Sequence, residues 1–338
     1  MIKKYFINTL KIMILCLIFS SCRKENELPD VQKMEEIVVV ANRLSGSISF
    51  IDTNTNQVIK TLEIAGSDPM YVVYVPSKDK IYVGDRKANK VHIINPDTKA
   101  LENSINVGKG VFHMWANGGQ LWIIGDIDKT ISVLDLNTNS IIKTINVGLT
   151  PHDIFLTKDG TKAFVSAFNP VFGQPDSVLM YSIKTFEKTG EVTVGQEPHL
   201  FHLSSTNKLY VACQSGQLYI LNGNDLTTFK NTAYEGAHGI FASPDQNSIF
   251  MTNITGAQIF SANATTGTSN GSPLNTPIPT PHNIVLNEVG NKMFVTHSGP
   301  AANTVTTYSV NASTLSPGTT ITVGNNPFGI TYYKRANK

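Results

Sequence analysis

Residues 80–95 read KIYVGDRKANKVHIIN. Two short runs of β-branched and aromatic residues, each alternating in polarity, flank a polar turn, which is the signature of a β-hairpin. The same phrase returns as KAFVSAF at 162–168, KLYVACQSGQLYILN at 208–222 and KMFVTHSG at 292–299. ISVLDLNTNSIIKTINVG at 131–148 shows how a copy ends. A second phrase precedes each copy: glycine, often proline, an anchor residue, then an apolar run. Its anchors are Met70 in SDPMYVVYV, His113 in GVFHMW, His152 in GLTPHDIFL, His199 in QEPHLFHL, His238 in EGAHGIFA, His282 in PTPHNIVL and Phe328 in NNPFGITYY. They recur every 39 to 47 residues, the period of a four-stranded propeller blade. No helical periodicity is sustained.

The ends fix the blade count. IVVVAN, SISFID and VIKTLEI, within 37–64, supply three strands of a blade without its first. Residues 328–333 supply a first strand with nothing after it. The expected fold is all-β: a seven-bladed propeller over 36–338, closed by pairing the C-terminal strand with the N-terminal ones. Such closure leaves no free sheet edge at the seam. The repeats resemble the YVTN family of β-propeller repeats over roughly residues 36–333. That likeness implies the fold and leaves function open.

Composition narrows the function classes. The chain has 338 residues, 41% hydrophobic and 15% charged, with three cysteines. It is too apolar for disorder and too poor in cysteine for a disulfide scaffold. The 27 Lys and Arg, less Lys3, Lys4 and Lys11 of the N-terminal segment, nearly balance the 25 Asp and Glu. A near-neutral body has no electrostatic reason to bind nucleic acid. A monomer is expected.

Residues 1–22, MIKKYFINTLKIMILCLIFSSC, combine a basic start, an apolar run too short to span a bilayer, and small residues before Cys22. This resembles a bacterial lipoprotein signal, with Phe19 where Leu is usual. The resemblance implies a signal peptide over 1–21, a lipid on Cys22, membrane partnership through that lipid, and a flexible tether over 22–35. The charged stretch 23–27 resembles a surface-export tag, so an outer-membrane, outward-facing lipoprotein is the expectation. Cys213 is left alone and reads as a small buried hydrophobe.

First strands are innermost in a propeller, so the seven anchors are expected to ring one channel mouth. Five are histidine, in a chain with eight histidines. One reading is packing inherited by blade duplication. The other is convergence: His113, His152, His199, His238 and His282 as ligands of copper or zinc, with Met70 and Phe328 completing the ring. Crowded, desolvated imidazoles should titrate below the free value of about 6.5. The repeated histidine resembles the histidine-lined propeller of nitrous oxide reductase, which holds a copper cluster; its paired histidines and cupredoxin domain have no counterpart here. Long loops at 168–177, 262–281 and 298–304 are expected to wall the same mouth, a surface suited to a protein or glycan partner. Asp85, Asp126, Asn253, Cys213 and His297 hold equivalent places after second strands, mostly as turn caps, with Cys213 and His297 as candidate peripheral ligands. His202 is expected between blades and His92 on the surface. PHDIFLTKDGTKAFV at 151–165 also resembles the propeller lactonases, which implies His152 and Asp153 for acid–base work beside Arg43 or Arg86. Asp153 should nonetheless point away from His152, since neighbours alternate along a strand. The leading expectation is an envelope-anchored binding module, with lactone hydrolysis as an alternative.

Overall fold

The computed structural model describes residues 33–337. They form seven four-stranded antiparallel sheets, in order around the ring. Blades one to six run over 69–106, 111–146, 150–193, 198–233, 237–275 and 281–322. Blade seven joins the strand Pro327–Ala336 to Met34–Asn42, Ser47–Asp52 and Gln57–Glu63. The seam register pairs Ile37 with Tyr333 and Val40 with Ile330. The seam is therefore the one expected, and its N-terminal strand starts at Met34, ahead of the expected boundary at 36. Cys22 and the segments 1–21 and 22–32 lie outside the described residues.

The burial pattern follows from stacking blades face to face. Second strands are covered on both sides, so Lys80–Asp85 and Lys208–Cys213 are buried almost throughout. Fourth strands form the rim and alternate with water, as in Gln57–Glu63. One aromatic in the second strand of each of blades one to six fills the space between blades: Tyr82, Trp122, Phe164, Tyr210, Phe250 and Phe294, all essentially without exposure. Truncating any of these to alanine should cost about 3–5 kcal/mol. Third-to-fourth turns use an Asp or Asn side chain as a local cap: Asp52 Oδ1 accepts from the Asn54 and Thr55 N–H groups, and Asp135 repeats this with Asn137 and Thr138.

Two expectations need correction. The segment 262–281 is not one mouth loop. Leu274–Asn275 pairs with the third strand of blade five and Ala262 bridges to Ser269, so most of it runs as the rim of that blade. The sheet edge takes whatever partner the chain offers, even one poor in β-formers. His92 is buried rather than exposed, because the third strand of blade one is covered. Its Nε2 lies 3.1 Å from Asp85 Oδ2 and its Nδ1 lies 2.8 Å from Ser104 Oγ.

Candidate ligand and metal site in the channel

First strands begin on the face that carries the 168–177 and 298–304 loops. Register against the second strands aligns the channel residues. Pro69, Val111, Pro151, Pro198, Ala237, Pro281 and Pro327 are equivalent, facing Asp85, Gly125, Ala167, Cys213, Asn253, His297 and Asn42. The next position holds Met70, Phe112, His152, His199, His238, His282 and Phe328. Blade two thus places Phe112, not His113, in the anchor column. His113 belongs one layer deeper, with Tyr71, Asp153, Gly239, Asn283 and Gly329.

That deeper layer exists because six of the seven first strands carry a β-bulge there, while blade four pairs His199 directly with Ala212. A bulge turns an extra side chain inward and frees a backbone donor. Ser166 Oγ accepts from the Asp153 N–H and Thr296 Oγ1 from the Asn283 N–H. Glycine is needed at 239 and 329, where a Cβ would strike the His282 carbonyl at 2.0 Å and the Met70 carbonyl at 2.4 Å.

The five histidines come together. Ring centroids lie 5.9 Å apart for His113–His152, 5.0 Å for His152–His199, 3.8 Å for His199–His238 and 4.7 Å for His238–His282. Phe328 closes the circle 4.0 Å from His282. Met70 is fully buried, and its neighbour Tyr71 stacks on His113 at 3.4 Å. Phe112 and Phe168 clasp His152 at 4.6 and 4.4 Å. The mouth is therefore stoppered by rings, with Arg43 over Phe328 and Arg86 over Phe112.

Asp153 is the centre of the deeper layer. Its Oδ1 lies 2.7 Å from His113 Nδ1, and its Oδ2 lies 3.9 Å from His199 Nδ1 and accepts from the Leu200 N–H at 2.8 Å. The bulge breaks the strand's alternation here, so Asp153 faces the channel one layer deeper than His152. His113, Asp153 and His199 offer ligand atoms all within 4.8 Å of one another, the one such set among the described residues. Two ligands of a shared ion, each about 2.0–2.2 Å from it, stand about 3–4 Å apart, so the measured separations bracket what an ion requires. His152, His238 and His282 stand outside this set; His282 Nδ1 is engaged by the Asn283 amide at 2.7 Å.

Electrostatics favour neutral imidazoles at His152, His199, His238 and His282. Burial lowers His199 to about 4, with His113 pushing the same way and Asp153 opposing. Burial, then the neighbouring imidazoles, hold His152, His238 and His282 well below the ordinary value. Burial pushes the Asp153 carboxyl up, but His113, His199 and the Leu200 N–H outweigh it, so it titrates below the usual range. Within these five rings, four buried nitrogens have no partner: His113 Nε2, His199 Nε2 and both of His238. Inherited packing would have tied these rings to the backbone; none of the five bonds to a backbone carbonyl among the described residues.

The remaining sequence candidates are occupied elsewhere. Both His297 nitrogens are engaged, by the Pro279 carbonyl and Thr306 Oγ1, so it is no peripheral ligand. Cys213 is buried among Val178, Val211 and Leu209, and burial pushes its thiol up to about 12. His202 sits between blades against Phe155 and Phe164, its Nε2 on Asn207. Asp85 and Asn253 cap their turns as expected. Arg43 is paired with Asp68 at 2.9 Å and Arg86 with Asp126 at 2.7 Å. Tyr71, Asn283 and the role of Asp153 as hub were missed; the residue count between glycine and the first strand was the one available signal.

No family model matches the chain, and no curated protein matches it. Solved structures match widely. Hydrazine synthase of Kuenenia stuttgartiensis superposes with a TM-score of 0.68 at 13% identity, covering 80% of this chain and 90% of that one. A candidate 6-phosphogluconolactonase of Bacteroides fragilis gives 0.72 at 16%, covering 90% and 100%. A counterpart from Bacteroides uniformis gives 0.70 at 17%, covering 88% and 99%. At such identities the likeness establishes the propeller fold.

Proposed function

We propose that the protein is an envelope-anchored binding module whose channel holds a divalent metal ion on His113, Asp153 and His199. One observation carries this reading: a compact buried set of two imidazoles and one carboxylate beside nitrogens that have no partner. Two nitrogens and a carboxylate oxygen suit zinc, with room for a further ligand, and the histidine content also suits copper. The carboxylate makes the donor set harder than an all-imidazole ring, so zinc ranks first. Anchoring rests on the lipoprotein-like segment ending in Cys22.

The test is calorimetric titration of zinc and copper into chelator-stripped protein. Wild type should bind one ion per chain, His199→Ala should lose it, and His282→Ala should keep it. Equal affinity in all three would refute the assignment.

A second reading is lactone hydrolysis. The His113–Asp153 pair has the form of an oriented general base, and two of the similar structures are candidate lactonases. Against it, Arg43 and Arg86, the cations nearest the mouth, are neutralised by Asp68 and Asp126. Release of acid from 6-phosphogluconolactone, abolished in Asp153→Asn, would establish it.

A further inference from the structure

The stoppered mouth raises the question of how anything reaches the buried set. A cavity of about 290 Å³ lies on its other side. Tyr71, His113, Asp153, His199 and Asn283 form its inner end. It then passes Trp115, Phe201 and Phe241 and reaches Tyr74, Leu286 and Tyr332, near where their first strands end. The channel is therefore open on the face opposite the long loops. Phe112, His152, His238, His282 and Phe328 do not line it.

Its walls are aromatic at one level. Trp115, Phe201 and Phe241 line the cavity, and Phe155 packs behind them between Trp115 and Phe201, with ring centroids 4.1, 5.1 and 5.1 Å apart in turn along the four equivalent positions of blades two to five. A cavity of about 150 Å³ with apolar walls accommodates benzene, so this one has room for one or two rings. The inner end is polar and unsatisfied. His113 Nε2 and His199 Nε2 have no partner although both residues are buried. Whether each nitrogen presents a lone pair or a proton depends on what its ring's Nδ1 holds, Asp153 or an ion. A hydroxyl satisfies either state, because it both donates and accepts.

We propose that the channel binds a small aromatic compound bearing a hydroxyl group, its ring between Trp115, Phe201 and Phe241 and its oxygen on His113 Nε2 and His199 Nε2, entering from the face opposite the long loops. This rests on the reading of the inner end as the binding end, but not on an ion being present.

The experiment uses p-cresol and its isostere p-xylene, titrated into chelator-stripped full-length protein by calorimetry and by emission of Trp115. The other tryptophan, Trp122, is sealed in the core and stays constant. p-Cresol should bind about tenfold or more tighter than p-xylene, the cost of leaving buried polar nitrogens unpaired. Ala116→Trp fills the cavity from its wall and should cost p-cresol about tenfold while leaving zinc affinity unchanged. Should that variant fold poorly, Phe241→Glu, at a half-buried position, serves the same end. Equal affinity for the two probes, no binding of either, or undiminished p-cresol binding in the filled variant would overturn the proposal. Zinc bound without p-cresol would sink this inference alone; p-cresol bound without zinc would sink the metal reading alone.

Discussion

The Nδ1 of His113 stands 2.7 Å from Oδ1 of Asp153, across the boundary between blades two and three. Neither residue reaches the other along the chain; the bulges of two first strands turn both inward. Asp153→Asn keeps the shape but removes the charge and one acceptor. Zinc affinity should fall by about 10–100-fold or more. Stability should fall by about 1–3 kcal/mol, because the Leu200 N–H or His113 is left unpaired. Calorimetry and denaturant melts measure the two effects separately, and unchanged zinc affinity would remove Asp153 from the ligand set.

Acid should destabilise the metal-free protein within a defined window. His199 titrates at about 4 in the folded chain, below its ordinary value near 6.5 in the unfolded one. A folded-state value that is depressed means the unfolded chain binds the proton first. The contribution is thus complete above pH about 6.5 and lost as pH falls toward 4, amounting to about 3 kcal/mol. His152, His238 and His282 shift in the same direction and deepen the loss. Melting temperatures measured from pH 7.5 to 4 should drop steeply below 6.5, and His199→Phe should flatten the curve. A profile that is flat to pH 4.5 would show that the rings are solvated.

The seam carries its own lock. Arg335 is buried and bonds Glu35 at 2.7 Å, Asp79 at 2.8 Å and Asp97 at 2.5 Å, tying the closing strand to blade one. Asp79 and Asp97 are partly exposed and can be solvated when their partner goes, so Arg335→Met should cost less than a fully buried pair, about 1–3 kcal/mol. Urea melts measure this, with Lys188→Met as a control: its ion pair with Glu191 is exposed and should contribute little.

How much of this was legible beforehand differs by level. The fold was written in the period and in the split blade, because each blade repeats the same strands and turns, and six of the seven repeat the interblade aromatic. The histidine column was legible in blades three to six and misread by one residue in blade two. Phe112 and His113 are adjacent, and a β-bulge decides which of them faces the ring; the four-residue spacing from Gly108 to Phe112, the same as from Gly148 to His152, was its one trace in the sequence. Asp153 was weighed only as a partner of His152, its neighbour in the chain. Its actual partners lie in other blades, a relationship set by strand register rather than by spacing. His92 was misplaced for a simpler reason, since alternation in a third strand cannot show that both faces are covered.

Cys213 should be inert in the native protein, since the thiolate is the reactive form and burial holds its pKa near 12. Iodoacetamide at pH 8 should label it only when denaturant is added. Labelling at the native rate of a free thiol would place it at the surface.

The last prediction joins the anchor to the channel. Met34 pairs with Ala336 at one end of the seam and Asn42 with Pro327 at the other. Pro327 begins a first strand, on the loop face, so Met34 lies on the opposite face, where the cavity opens. If a lipid on Cys22 anchors the chain, the propeller is reached from it through Met34 after at most about 40 Å of chain. Cys22→Ser should move the protein from the membrane to the soluble fraction. Anchoring should also make the two faces differ toward a water-soluble amine reagent. Lys158 lies in a turn beside the cavity face and Lys87 in a turn on the loop face, and both are exposed. In vesicle-bound protein Lys158 should be acylated more slowly than in the Cys22→Ser form, while Lys87 reacts equally in both. Equal protection of the two lysines would mean that no face is preferred. A membrane-bound Cys22→Ser protein would mean that the anchor lies elsewhere. If only Lys158 is protected, the channel opens toward the membrane, and a lipophilic aromatic ligand can reach it without crossing the long-loop face.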